Sequence, residues 1–293
     1  MHSKNRIRIN MKISKNIVLK GKILDFDTPR VMTIINITPD SFFEGSRTSS
    51  SDDILRSVER AVAEGASIID IGGYSTRPNA AFVSETEEIH RVTSALEVVR
   101  RNYPDLPVSV DTFRARVAEI AVGDYEADII NDVSGGTLDD NMLPMMAKLN
   151  VPYILMHMRG TPQTMAQMTD YDDIVADVLK YFAERIDTLR QLGYCSDIIL
   201  DLGFGFAKTT EQNYKLLANQ RAFECFELPI LTGISRKSMI NRVIDTTPQE
   251  ALNGTTVLNT LALLGGADIL RVHDTRQAVE AIKLVEYYRA ASQ

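Results

Sequence analysis

Eight times between residues 31 and 273 a short apolar run of β character ends on a polar or reactive residue, with helix-like sequence behind it. The first four runs are VMTIINIT ending at Asn36, SIIDIGG ahead of Ser75-Thr76-Arg77, VSVDT at Asp111 and DIINDVSG at Asn131. They continue with PYILMHMRG at His157, IILDLGFGF at Asp201, PILTGISRK at Ser235-Arg236-Lys237 and DILRVHD at Arg271 and His273. Alternating β and α segments build a parallel sheet, and a polar group at strand tip after strand tip is how a (β/α)8 barrel assembles a site. The competing doubly wound sheet carries a glycine-rich phosphate turn after its first strand. Here that strand runs into Asn36-Ile37-Thr38-Pro39-Asp40, with no G-x-G-x-x-G. The reading is therefore an α/β chain folded as a (β/α)8 TIM barrel.

A barrel of about 250 residues fits residues 31–293 as one catalytic domain, leaving 1–30 as an N-terminal extension. In that extension Ile7, Ile9, Ile17 and Leu19 alternate, and Lys20-Gly21-Lys22 reads as a turn, so a β-hairpin under the barrel is expected. Helix starts are written into the sequence as well. Ser84 with Glu87 reads as a capping box, and Thr247-Pro248-Gln249-Glu250 repeats it with proline at the first helical position. After Asp173, the residues Ile174, Val178, Phe182, Ile186 and Leu189 share one helical face.

Bulk properties exclude several functions. A net charge of −7 argues against nucleic acid as partner, because phosphate backbones require a basic face. No apolar run approaches the ~18 residues of a membrane span, and the basic start lacks the apolar centre of a signal peptide. Cys195 and Cys225 are too few for a disulfide framework or a zinc site. A cytoplasmic location is the expectation.

The strand tips divide by chemistry. Asp111 and Asp201 close apolar runs, and with Asn131 and Lys237 they offer two acceptors, an amide and a cation around a small pocket. An aspartate before a helix can serve simply as a cap. Four such groups at neighbouring tips instead suit a flat heterocycle with a guanidine-like edge, because a carboxylate takes two parallel N–H bonds from such an edge. Arg77, Arg236 and Arg271, with His273, form a second set whose forks match phosphate oxygens, and Thr76 and Ser235 add hydroxyl donors. His273 either binds phosphate or pairs with Asp274. Asn36 could give one amide oxygen to a Mg²⁺ held mainly by phosphate and water. Seven of the eleven methionines fall between Met142 and Met168; most read as packing, while Met156 is placed to touch an aromatic ligand. Gly203 and Gly205 suggest a mobile glycine-rich loop. His157 stays without a role.

From about Val31 to the C-terminus the motifs NITPDSF, GASIIDIGGYSTRP, VSVDT, IINDVSGG, LMHMRGTPQTM, ILDLGFGFAK, GISRKSM and ADILRVHD resemble those of the dihydropteroate synthase family. The resemblance implies a barrel that joins 4-aminobenzoate to 6-hydroxymethyl-7,8-dihydropterin diphosphate in folate biosynthesis, with Mg²⁺ and release of pyrophosphate. It also implies a homodimer and a sulfonamide target. Matched residue by residue, the family pattern puts Asp111, Asn131, Asp201 and Lys237 around the pterin, where Met156 is also expected. Asn36, Thr76, Arg77, Arg271 and His273 fall at the diphosphate, with Asn36 also at the metal. Phe42, Thr76, Phe206, Ser235 and Arg236 fall at the 4-aminobenzoate, and Asp111, Lys237, Arg271 and His273 carry catalysis. Tyr74, Asn79, Leu202 and Ala207 depart from the usual pattern, as does Phe43-Glu44-Gly45-Ser46. Two alternatives stay open: a pterin-binding methyltransferase-type barrel, and a non-catalytic pterin-binding barrel.

Overall fold

Eight parallel strands close on themselves: β3 (Arg30–Asn36), β4 (Ile68–Gly72), β5 (Val108–Asp111), β6 (Ile129–Asp132), β7 (Tyr153–Met156), β8 (Ile198–Asp201), β9 (Ile230–Thr232) and β10 (Ile269–Val272). β10 pairs with both β3 and β9, which leaves the barrel sheet without an edge. The computed structural model describes residues 14–37, 47–74 and 82–292. The expectations at Ile7, Ile9, Phe42, residues 43–46, Thr76, Arg77 and Asn79 fall outside them.

Side chains alternate between the barrel interior and the helices, as the period of two requires. On β4, Ile69 and Ile71 join the outer core beneath the helices, while Ile68 belongs to the inner cluster with Met32, Ile129, Ile154, Ile199, Leu231 and Ile269. That layer closes the lower end of the barrel. Two residues further along each strand the same inward column reaches Asp70, Asn131, Met156, Asp201 and Arg271. The polar layer therefore sits on a dry apolar floor.

The hairpin lies where the alternation placed it. β1 (Asn16–Leu19) and β2 (Lys22–Asp25) are antiparallel. Lys20 and Gly21 both adopt positive φ, +47° and +79°, in the two-residue turn that matches strand twist. Ile17, Leu19 and Phe26 pack onto the floor residues. Lys15 pairs with Asp268 at 2.8 Å, and the Val18 N–H donates to Asp197 at 2.7 Å.

Nine α-helices lie among the described residues: α1 (Arg47–Ala63), α2 (Glu85–Asn102), α3 (Ala115–Gly123), α4 (Met142–Leu149), α5 (Ile174–Gln191), α6 (Thr210–Ala218), α7 (Ser238–Ile244), α8 (Leu252–Leu264) and α9 (Thr275–Ala291). α5 buries Ile174, Val178, Phe182 and Leu189 as its spacing predicted, each contributing about 1.5–3 kcal/mol, while Ile186 on the same face is half-buried. Of the two expected capping boxes one forms in part and the other not at all. Ser84 Oγ accepts from Glu87 N–H, but the Glu87 carboxylate turns outward to Arg91 instead of completing the box. α8 begins at Leu252, later than Thr247-Pro248 implied. The carbonyls of Pro248 and Gln249 accept from Arg236, and Thr247 Oγ1 meets Glu250, so this stretch forms a turn braced from the site side.

Candidate active site

The polar ends of the strands open onto a cavity of about 810 Å³ lined by Asn36, Asp111, Ser235, Lys237, Arg271 and His273, among others. Two strand-end glycines lie beside these groups. A Cβ on Gly72 would stand 3.5 Å from Asn36 Oδ1 and 3.7 Å from Asp111 Cβ; one on Gly233 would meet Arg271 and Asp201 at 3.8 Å.

Its electrostatic centre is Arg271. Nε donates to Asp70 Oδ2 at 2.6 Å, and the guanidinium also pairs with Asp111. Asn131 Nδ2 reaches the same Asp70 oxygen at 3.1 Å. Asp70 thus ties the amide and the arginine together beneath the cavity. Burial pushes the Asp111 carboxyl up to about 7; Arg271 opposes the rise and Asp70 adds to it. Burial also raises Asp201, against Lys237 and the Gly203 N–H, which donates to it at 2.8 Å. Lys237 is lowered by burial to about 8, with Asp201 pulling the other way. Its Nζ donates to the Phe204 carbonyl at 2.5 Å and stands 4.6 Å above the Phe206 ring.

The structure gathers Asp111, Asn131, Asp201 and Lys237 at one end of the barrel, but not on a common wall. Asn131 and Asp201 are buried behind the cavity lining, and Met156 sits with Met158, Met165 and Val133 in a small apolar cluster touched by Phe206. Lys237 and Ser235 stand past β9, Lys237 as the residue capping α7.

Arg271 is bound to Asp70 and Asp111, so an arginine expected at the diphosphate contacts a carboxylate expected at the pterin. Arg236 grips Asp274 with two bonds of 2.9 and 2.8 Å, a bidentate pair that occupies its fork. With Asp274 so engaged, His273 Nδ1 faces Ser235 Oγ at 3.0 Å. The 203–208 segment also differs from a loose glycine loop, because its carbonyls are held by lysines from two sides.

Two site residues escaped the sequence reading. Asp70 is fully buried in the middle of the apolar IIDIG strand; an aspartate there demands a cationic or amide partner, and that was the available signal. Lys208 donates to Gly203 O at 2.8 Å and Phe206 O at 3.0 Å. Nothing local in the sequence distinguished it from a surface lysine.

Metal-binding clusters of three or more His, Cys, Asp or Glu are absent among the described residues. A Mg²⁺ held chiefly by phosphate and water needs only one or two protein oxygens. Asn36 Oδ1, beside Gly72 at the cavity wall, fits that donor set.

The family model for pterin-binding enzymes matches residues 32–273. The chain belongs to the dihydropteroate synthase family. It is 41% identical to the dihydropteroate synthase of Escherichia coli over 91% of this chain and 94% of that one. A Yersinia pestis dihydropteroate synthase solved with a sulfonamide drug superposes with a TM-score of 0.87 at 39% identity, covering 94% of this chain and 99% of the other. The Xanthomonas albilineans enzyme solved with 4-aminobenzoic acid gives 0.87 at 37% identity with the same coverage. Family membership gives this chain dihydropteroate synthase activity in folate biosynthesis. The named relatives are synthases, which favours neither the methyltransferase-type barrel nor the non-catalytic one. No helix among the described residues is long and apolar enough to cross a membrane.

Proposed function

We propose that the cavity receives the pterin diphosphate ring-first and the 4-aminobenzoate from the Ser235 side, and that this protein's own residues direct a substitution at the pterin methylene carbon. The observation that carries the reading is the orphaned acceptor pair beneath the cavity. Asn131 Oδ1 and Asp70 Oδ1 are buried and find no hydrogen-bond partner among the described residues. Buried acceptors are satisfied in working proteins, so a donor-rich ring edge is the expected occupant.

In this reading Asn131 Oδ1, Asp111 and Asp201 accept from the ring and Lys237 donates to it. The methylene C–O bond breaks with its electron pair on the diphosphate oxygen, the amine lone pair of 4-aminobenzoate forms the new C–N bond, and the proton the nitrogen then sheds is carried off by the released pyrophosphate. Positive charge spreading into the ring is stabilised by the Asp111 carboxylate. Arg271 and His273 receive the leaving diphosphate, which requires Arg271 to exchange part of its bond to Asp111 for phosphate oxygens. Asn36 would hold the Mg²⁺, which when bound neutralises diphosphate charge. Thr76 and Arg77, from their positions in the family motif, are assigned to the diphosphate as well. Phe206 stacked on Lys237, Ser235 and Phe42 are assigned to the aminobenzoate. Arg236 shapes that pocket through Asp274 and the 248–249 turn, with its fork already filled. The nucleophile is positioned by the protein, and no covalent enzyme intermediate is needed.

The relatives solved with a sulfonamide drug and with 4-aminobenzoic acid support the same pocket for both ligands here. Val257, Leu261, Leu284, Tyr287 and Tyr288 leave α8 and α9 with an exposed apolar face, which we assign to a homodimer. The two free, exposed cysteines suit a reducing cytoplasm. The deciding assay is pyrophosphate release that requires Mg²⁺, 4-aminobenzoate and pterin diphosphate together. Release without 4-aminobenzoate, at the same rate, would overturn the assignment.

A further inference from the structure

Behind Asp201 lies a buried lysine that the chemistry above does not use. Lys208 is only 8% exposed, and its Nζ has three close partners: Gly203 O at 2.8 Å, Phe206 O at 3.0 Å and His157 Nδ1 at 3.0 Å. His157 is itself 1% exposed at the tip of β7, its ring edge-on to Tyr181 with centroids 4.8 Å apart. These contacts fix both side chains and leave the lysine little freedom.

The segment they hold is the turn between β8 and α6. Gly203, Gly205 and Ala207 all take positive φ, at +68°, +81° and +49°. Alternating left-handed residues turn successive peptides in different directions. The carbonyls of 203 and 206 point at Lys208, while that of 204 points at Lys237. The Gly203 N–H meets the Asp201 carboxylate. Gly203 has no alternative here, because a Cβ would lie 1.9 Å from the His157 carbonyl oxygen.

We infer that Lys208, locked by His157, is a positioning residue. It sets the 203–207 turn so that Asp201, the Phe204 carbonyl and the Phe206 ring meet Lys237 in a ligand-ready arrangement. The inference rests on the pterin cradle of the previous section and gives His157 a role in it. The neighbouring charges agree with an inward-facing, dry lysine. Burial holds Lys208 well below the usual lysine range against the pull of Asp201, and Lys237 and Arg159 add to the fall. Burial, followed by Lys208 and Arg159, likewise lowers His157 and favours the neutral ring that can meet an amine through Nδ1.

Lys208→Met keeps the length of the chain and removes the nitrogen. His157→Asn puts an amide oxygen near the place of Nδ1, whereas His157→Leu leaves no polar atom there. The measurements are calorimetric affinity for 6-hydroxymethyl-7,8-dihydropterin, KM for both substrates, kcat, and circular dichroism for folding. Because the turn holds the ring in ground state and transition state alike, KM should rise while kcat changes little. For Lys208→Met and His157→Leu the pterin Kd and KM should rise about tenfold or more, since each loses a buried polar contact. His157→Asn should restore values near wild type. A purely structural role would lower stability equally in all three and leave the affinity of the folded protein unchanged.

Folded Lys208→Met and His157→Leu that bind the pterin within about twofold of wild type would overturn the inference. Should Lys208→Met not fold, the two His157 variants decide alone, and equal affinity in them overturns it. Absence of pterin binding by the wild-type chain would instead overturn the cradle itself.

Discussion

Arg271 on β10 donates through Nε to Asp70 Oδ2 on β4 at 2.6 Å, reaching across β3, which lies between their strands. Asp70 is fully buried, so removing its charge leaves a buried cation partly uncompensated. Breaking such a pair costs about 3–5 kcal/mol, whereas replacing both partners by apolar groups is often neutral. Asp70→Leu should therefore lower stability in urea unfolding by about that amount, and the double variant D70L/R271M should recover most of it without activity. A double variant no more stable than Asp70→Leu would show that the charges are not the source.

The kcat/KM profile should be a narrow bell. Asp111 is raised to about 7 by burial, so below that pH it is protonated and loses the negative charge the substitution uses. Lys237 is lowered to about 8, so above that pH its ammonium is lost. Activity should rise through the first value and fall through the second. Asp111→Asn should cut turnover by about 100-fold or more and flatten the acid limb, with the circular dichroism spectrum unchanged. Near-normal turnover would remove Asp111 from its role.

Asn36 is assigned as the protein's oxygen for Mg²⁺. Asn36→Ala should raise the Mg²⁺ concentration for half-maximal activity by about tenfold while leaving pterin affinity in the absence of diphosphate unchanged. An unaltered Mg²⁺ titration would move the metal to another donor.

Leu284 and Tyr287 are 72% and 81% exposed on α9. Charges at both, as L284E/Y287E, should shift the sedimentation mass from dimer to monomer at micromolar concentration. Wild type sedimenting as a monomer would dismiss the interface.

Much of the fold was legible because the signals are local. A parallel strand buried on both faces must be apolar throughout, so runs such as SIIDIGG and IILDLG announce themselves, and helix-like sequence between them forces right-handed βα crossovers. The hairpin turn at Lys20-Gly21 and the apolar face of α5 are equally local. Thr247-Pro248 misled for a tertiary reason. Its capping residues are there, but Arg236 takes the carbonyls of the turn and the helix starts later.

The sequence by itself determined the order of strands and the polar residues at their tips, which follow from the spacing of the apolar runs, and its eight ordered motifs carry the family resemblance. Tertiary structure alone decided which charges are shared. Asp70 and Arg271 are 201 residues apart, Lys208 and His157 are 51 apart, and Arg236 and Asp274 are 38 apart. Barrel closure brings such groups together, and once they are out of water each charge must find a partner. The closed barrel joins Asp70 and Asp111 through one arginine, since the Arg271 guanidinium is long enough to reach both from β10.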